Sequence, residues 1–262
     1  MEKNKNYANL KGFSPEGKVC VITGGSSGIG KSLIEELIFR KAKLLINIDL
    51  KKSDDPRIES FCANVGSFSE IKKVILEIYK RFGNIDLFCC NAGVACDDAA
   101  DATVHHWKKI IDTNLMQHIY AVNCCIGNML KNKSGWFLVT ASAAGLLSQV
   151  GSATYSTTKH ATVGFAEWLS ITYGNKGIGV SLLCPQGVKT AMTANIKDGG
   201  VAGINGMLEA EEVAKKTLDD MEKGKFLITP HEIVKKYIKI KSNDTDSWIL
   251  GMRKLYQKYI NN

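Results

Sequence analysis

The chain has 262 residues, with 34 Lys+Arg against 26 Asp+Glu and 45% apolar residues. This is ordinary globular composition and excludes a disordered or fibrous chain. No run reaches the ~18 apolar residues of a membrane span, and no apolar core follows the lysine-rich N-terminus as in a secretory signal. The net charge is +8, with nine Lys/Arg against three Asp/Glu from Lys223 onward. No aromatic-basic motif accompanies that excess, so a solvated basic face is expected, not nucleic-acid or membrane binding.

In chain order, short β-branched runs alternate with amphipathic stretches. Val19–Thr23 reads as a buried strand, and Lys31–Arg40 places Leu33, Ile34, Leu37 and Ile38 on one helical face. Leu44–Ile48 and Phe61–Val65 are the next two strands, followed by a helix over Ser69–Phe82. A strand at Asp86–Cys90 precedes a long helical region, Trp107–Lys131. Then come a strand at Trp136–Thr140, a helix at Thr154–Tyr173 and a strand at Gly179–Cys184. A helix at Glu209–Lys223 and a last strand at Phe226–Thr229 complete the alternation. Strand–helix alternation without a linker predicts an α/β fold. The expected form is one Rossmann-type, doubly wound parallel sheet of about seven strands with helices on both faces. Residues 1–262 are read as a single domain, with a polar arm at 1–15 and a helical extension at 230–262.

The eight cysteines sit mostly inside apolar runs, and no Cys-x-x-Cys pair occurs. Reduced, buried thiols in a cytoplasmic protein are therefore expected, and no metal ligands are named.

Gly24, Ser26, Ser27, Gly28, Ile29 and Gly30 lie between the first strand and its helix. A glycine-rich turn there lets backbone approach a pyrophosphate, which the helix N-terminus then holds. Asp49 closes the second strand, followed by Leu50. A carboxylate at that point accepts the adenine-ribose hydroxyls of NAD and repels the 2′-phosphate of NADP. Lys51 and Lys52 keep NADP open as the less favoured cofactor.

Tyr155 and Lys159 stand at i and i+4 of one helix and share a face. A free phenol ionises near pH ~10. One ammonium ~4 Å away is expected to lower that by roughly 4 kcal/mol at an effective dielectric of ~20. Ser142 follows the 136–140 strand, at the carboxyl end of the sheet, where it can hold a substrate oxygen.

With these motifs in order, the chain resembles the short-chain dehydrogenase/reductase family over nearly all of 18–229. The likeness takes in Asn91-Ala92-Gly93, Asn114, and Pro185-Gln186-Gly187-Val188-Lys189-Thr190. The resemblance implies Tyr155 as general acid/base, Ser142 as the group placing the substrate oxygen, and Lys159 on the phenol and the nicotinamide ribose. It implies that Asn114 bends its helix and holds a relay water. Asn64, Val65, Asn91, Ala92 and Gly93 would flank the adenosine; Pro185, Gly187, Val188 and Thr190 would meet the nicotinamide end. Asn64 stands where family members often carry Asp. Gln186 splits the family's Pro-Gly.

On the substrate side, Gln149, Gln186 and Met192 join Ser142 and Tyr155, with Val94, Ala95, Ala143 and Leu146 as further walls. The glycine-rich Thr193–Leu208 stretch is expected to be a lid. The tail, with Trp248, Leu250, Met252 and Leu255, is expected to pack at an oligomer seam rather than cap the pocket. The family likeness also implies a homotetramer or homodimer, through the 107–131 and 154–173 helices and residues such as Cys124, Cys125, Phe165, Trp168 and Leu169. The expected activity is NAD-linked hydride exchange with a secondary alcohol or ketone on an apolar skeleton. NADPH-dependent reduction of a 3-oxoacyl thioester is the alternative, and a non-catalytic nucleotide-binding regulator stands behind both.

Overall fold

The computed structural model describes residues 12–96 and 98–260. Most of the expected polar arm lies outside them. Its described end is not solvated: Phe13 is buried, its ring 5.8 Å from that of Trp136.

The elements run β1 (Val19–Thr23), α1 (Gly28–Phe39), β2 (Leu44–Asp49), β3 (Glu59–Cys62), α2 (Phe68–Phe82), β4 (Leu87–Cys90) and α3 (Val104–Ile111). They continue with α4 (Gln117–Asn132), β5 (Gly135–Thr140), the short α5 (Ala144–Leu147), α6 (Ala153–Tyr173) and β6 (Ile178–Leu183). After β7 (Val188–Lys189) and β8 (Leu208–Glu209) come α7 (Ala210–Glu222), β9 (Leu227–Ile228), α8 (Glu232–Asn243) and α9 (Thr245–Ile260).

Seven strands form one parallel sheet in the order β3-β2-β1-β4-β5-β6-β9. β1, β4 and β6 are buried along their whole length, as strands covered on both faces must be. One core layer packs α2, α4 and α6 against the sheet through residues such as Ile75, Cys125 and Leu169. The other packs α1 and α7 through Leu33, Leu37 and Leu218. Cys125 and Leu169, expected at a subunit seam, are thus core residues of the single chain, because their helix faces turn toward the sheet; Trp168 on the far side of α6 is 51% exposed. The strand order reverses between β1 and β4, which opens a crevice at the carboxyl ends of the strands.

Two expected elements differ. β3 ends at Cys62, not Val65. Asn64 there forms a turn, accepting from the Gly66 amide at 2.9 Å. The long 107–131 helix is broken by a π-helical turn over Asp112–Met116. The break has a visible cause: the Asn114 carbonyl accepts from the Thr162 hydroxyl of α6 at 2.9 Å, and an inserted partner of this kind is one origin of such a turn.

Just beyond it, His118 of α4 is fully buried, and its ring nitrogens make no well-formed hydrogen bond. Burial, helped by the nearby Lys159 ammonium and opposed by the Asn114 carbonyl, pushes its pKa down to about 3. The unfolded chain takes up this proton below about pH 6.5 while the folded chain does not. Stability is therefore expected to fall as the pH drops from 6.5 toward 3, by up to about 1.4 kcal/mol per pH unit from this residue. His118→Phe should flatten that part of the dependence in urea melts. An unchanged slope would show that His118 takes up its proton inside the fold.

Candidate active site

The glycine loop is built around close backbone approach. Gly24 has φ +68, and a Cβ on it would lie 2.9 Å from the Ala92 Cα. A Cβ on Gly30 would lie 2.1 Å from the Gly24 carbonyl oxygen. A side chain at Gly30 would force the start of α1 away from the loop, and one at Gly24 would push the loop off the backbone after β4. At the start of α1, Ser27 makes no side-chain capping bond and the first turn carries no acid. Its amides are thereby left for an anion, so the residues fit a dinucleotide pyrophosphate. Thr190 lies against Gly28, and the adjoining cleft of about 280 Å³ is bordered by Lys31 and Lys189 and also by Glu35, Glu209 and Glu211.

Two polar residues overlooked in the sequence set the shape of this loop. Asn47 is fully buried in the middle of β2; it accepts from the Gly25 amide at 2.9 Å and donates to the Ser26 hydroxyl at 3.0 Å. Gln117 binds the Thr23 hydroxyl at 3.1 Å and donates to the Ala92 carbonyl. Asn47 was visible as the one polar residue in an apolar strand; Gln117 carried no signal. Asp49 ends β2 with its carboxylate on the loop, accepting from the Ser26 amide at 3.1 Å and the Leu50 amide at 2.7 Å. Leu50, Lys51 and Lys52 are exposed beside it.

At the end of β4, the Asn91 side chain donates to the Thr23 carbonyl at 3.2 Å and accepts from the Thr140 hydroxyl at 3.3 Å. It pins β1, β4 and β5 where the crevice opens. Gly93 lies beside Asn114 and Lys159. The Asn114 side chain is occupied: it accepts from the Val94 amide at 2.9 Å and donates to the Val94 carbonyl at 2.8 Å. It therefore holds the backbone after β4 in place.

Ser152 caps α6 by accepting from the Tyr155 amide at 3.4 Å, which puts Tyr155 in the first turn and Lys159 one turn later. Lys159 is buried, its Nζ 5.6 Å from the Tyr155 ring centroid and donating to the Thr140 carbonyl at 3.1 Å. Burial lowers its pKa to about 8. In the unliganded chain burial raises the Tyr155 pKa, and the hydrogen bond from the Ser142 hydroxyl opposes that rise. Removal from water disfavours the charged form of both groups, lowering the lysine and raising the phenol. Ser142 is fixed at the start of α5, accepting from the Ala144 amide at 3.1 Å.

Next to Ser142 lies a cavity of about 390 Å³. Ala143, Gln149 and Gln186 line it as expected; Tyr155, Met192, Val94, Ala95 and Leu146 do not, and Met192 is 47% exposed. Their places are taken by the lid residues Val201, Ala202 and Ile204 and by the C-terminal helices, through Tyr237, Ile240, Trp248, Met252 and Leu255. The tail therefore walls the cavity, against the expected seam position. Apolar packing explains this: Val234 is fully buried with Ala143 and Leu147, and Lys241 donates to the Leu146 carbonyl at 2.7 Å.

The lid is clipped shut at its base by β7 and β8, which pair Val188 with Leu208 and Lys189 with Glu209. A Cβ on Gly187 would lie 2.8 Å from the Ala202 carbonyl oxygen, so the lid rests directly on this glycine. His231, also overlooked, holds the turn after β6: it accepts from the Gln186 amide at 3.2 Å and its Nε2 donates to the Gly187 carbonyl at 3.0 Å. The Gln186 side chain donates to Asn205 of the lid at 3.1 Å, while its buried Oε1 has no partner. The lining includes no Lys or Arg, and its one acid is Asp244.

The family model for short chain dehydrogenases matches residues 18–200. A 3-oxoacyl-[acyl-carrier-protein] reductase of Buchnera aphidicola is 30% identical over 188 residues, 68% of this chain and 77% of its own length. Sorbose reductase of Candida albicans is 32% identical over 66% of this chain and 67% of its own. Among solved structures, a short-chain dehydrogenase/reductase of Burkholderia phymatum in complex with NAD superposes with TM-score 0.79 at 24% identity, covering 89% of this chain and 96% of that one. A short chain dehydrogenase of Burkholderia cenocepacia in complex with NADP gives TM-score 0.78 at 17% identity, covering 90% and 97%. Among the described residues, no helix is long and apolar enough to cross a membrane. With the parallel sheet, the glycine loop and the Ser142, Tyr155 and Lys159 side chains gathered at its carboxyl edge, the chain belongs to the short-chain dehydrogenase family of oxidoreductases, which work with NAD or NADP.

Proposed function

We propose that the protein is an NAD-dependent dehydrogenase acting on a secondary alcohol or ketone with an apolar skeleton. The carrying observation is the position of Ser142, which lies close to Tyr155 and also lines an apolar cavity. A bound dinucleotide supplies the hydride acceptor or donor. The chain's own residues do the rest. Ser142 gives a hydrogen bond to the substrate oxygen, and the Tyr155 phenol takes the hydroxyl proton in oxidation or gives it back in reduction. Lys159 binds the nicotinamide ribose, and Gly24, Ser26–Gly30, Asn91–Gly93, Pro185, Gly187, Val188 and Thr190 form the rest of the cofactor cleft. Gln149 and Gln186 orient the substrate, and the lid and tail exclude water. A homotetramer or homodimer through α4 and α6 is the assembly proposed.

The Asp49 carboxylate at the head of the glycine loop favours NAD over NADP. The alternative, NADPH-dependent reduction of a 3-oxoacyl thioester, draws on the names of relatives. The cavity itself supports a neutral substrate group, since neither Lys nor Arg lines its wall. A purely regulatory role leaves the retained Ser142, Tyr155 and Lys159 set without a purpose.

Calorimetric titration with NAD and NADP in parallel tests the cofactor. Asp49→Ala is expected to weaken NAD binding about 10–100-fold, the worth of hydrogen bonds to a charged group. A loss below about threefold, or tighter binding of NADP by the unaltered protein, would transfer the reading to the alternative. Oxidation of neutral secondary alcohols in the presence of NAD tests the reaction.

A further inference from the structure

Outside the crevice, three side chains of different chemistry converge beside the start of α6. Cys96 and Asp98 come from the segment after β4, and His106 comes from the first turn of α3. The Cys96 Sγ lies 3.1 Å from the His106 Nε2 and 3.3 Å from an Asp98 carboxylate oxygen, and the His106 Nε2 lies 3.2 Å from that same oxygen. Three donor atoms thus form a nearly equilateral triangle. Ligands bonded at ~2.0–2.3 Å to a tetrahedral cation stand roughly 3.3–3.6 Å apart, so the triangle has to open by only a few tenths of an ångström on the sulfur side to admit one. Thiolate, imidazole and carboxylate together are a zinc-type donor set.

From this geometry we infer a binding site for a divalent transition-metal ion of the zinc class, held by Cys96, Asp98 and His106 with a fourth position open to water. Supporting contacts are already in place. Asp98 is held by the Thr154 amide, donating at 3.1 Å, and by the Thr154 hydroxyl. Such contacts orient a ligating carboxylate before the ion arrives. The Asp98 side chain is 7% exposed and that of His106 is 34% exposed, so the ion has a way in past the imidazole. Thr154 precedes Tyr155, so an ion here would tie the segment after β4 to the first turn of the helix that carries the phenol. Sequence spacing conceals the set, because nine residues and a change of element separate Cys96 from His106. The inference does not depend on the choice of cofactor or substrate.

The test is titration of the reduced, full-length protein with cobalt(II), followed optically. One equivalent is expected to produce thiolate-to-metal charge transfer in the near ultraviolet and strong tetrahedral bands in the visible. Both should vanish in Cys96→Ser and in His106→Ala. They should persist in Cys62→Ser, which removes an exposed thiol elsewhere on the surface. X-ray absorption of the unaltered protein loaded with zinc should show one sulfur among nitrogen and oxygen neighbours, a readout that needs no variant to fold. Absence of these bands, loss of them in Cys62→Ser, or zinc without a sulfur neighbour would overturn the site and leave an ordinary hydrogen-bonded cluster.

Discussion

Tyr155→Phe is expected to lower turnover about a hundredfold or more while leaving NAD binding close to that of the unaltered protein. General acid–base catalysis by a positioned side chain contributes roughly 10²–10⁴ in rate, and a hundredfold loss corresponds to about 2.7 kcal/mol of barrier. The substitution removes one oxygen and no packing. Ser142 keeps its contact with the Ala144 amide at 3.1 Å, and the glycine loop is built from β1, β2 and α1, so nucleotide affinity has no reason to change. Steady-state kinetics beside calorimetry separate the two effects. The pH dependence adds a sign. Oxidation needs the phenolate, and burial raises the pKa of the phenol in the unliganded chain. Alcohol oxidation should therefore climb from neutral into alkaline pH, and reduction, which needs the protonated phenol, should fall over the same range. Residual activity in Tyr155→Phe above about a hundredth of the original would assign the proton to another group.

Lys159→Met is expected to make the unliganded protein more stable and almost inactive. The ammonium is 3% exposed and its pKa falls from 10.5 to about 8, so folding at neutral pH carries the cost of burying a charge. That shift corresponds to about 3 kcal/mol. Loss of the hydrogen bond to the Thr140 carbonyl returns about 1 kcal/mol, leaving a net gain near 2 kcal/mol, or roughly 4–8 °C in melting temperature for a chain of this size. Below pH 8 both folded and unfolded chains hold the proton, and the penalty is complete. Between pH 8 and 10.5 the unfolded chain binds more protons than the folded one, so the original protein gains stability as the pH rises and the gap to Lys159→Met closes. Urea melts at pH 7 and pH 10 measure this. Equal stabilities at pH 7 would mean that Lys159 is solvated or paired in solution. A residue kept at such a cost is explained by work in the site.

The fold was largely legible in the sequence because its signals are local. Val19–Thr23 and Leu44–Ile48 are continuous apolar runs, and α2 shows its buried face in Ile71, Val74, Ile75 and Ile78. The glycine loop and the Tyr155–Lys159 pair could be read for the same reason: each is a short spacing within one element. The bend at Asn114 followed from the family resemblance, but its cause did not show in the spacing, since the partner that takes the Asn114 carbonyl, Thr162, is 48 positions away. Nor could His231, whose importance appears only when α8 brings it against Gln186 and Gly187.

The amino-acid sequence alone determined the strand–helix alternation, the nucleotide loop and the identity of the Ser142, Tyr155 and Lys159 set, all of which depend on periodicity or fixed spacing. Only the tertiary structure decided the rest. It lowered the pKa of Lys159 and raised that of Tyr155, because burial acts on charge through solvent removed by distant parts of the chain. It brought Trp248, Met252 and Leu255 to the cavity wall, because the tail buries its apolar residues on Ala143 and Leu147. It also gathered Cys96, Asp98 and His106 into one triangle, because the segment after β4 and the first turn of α3 meet at the start of α6.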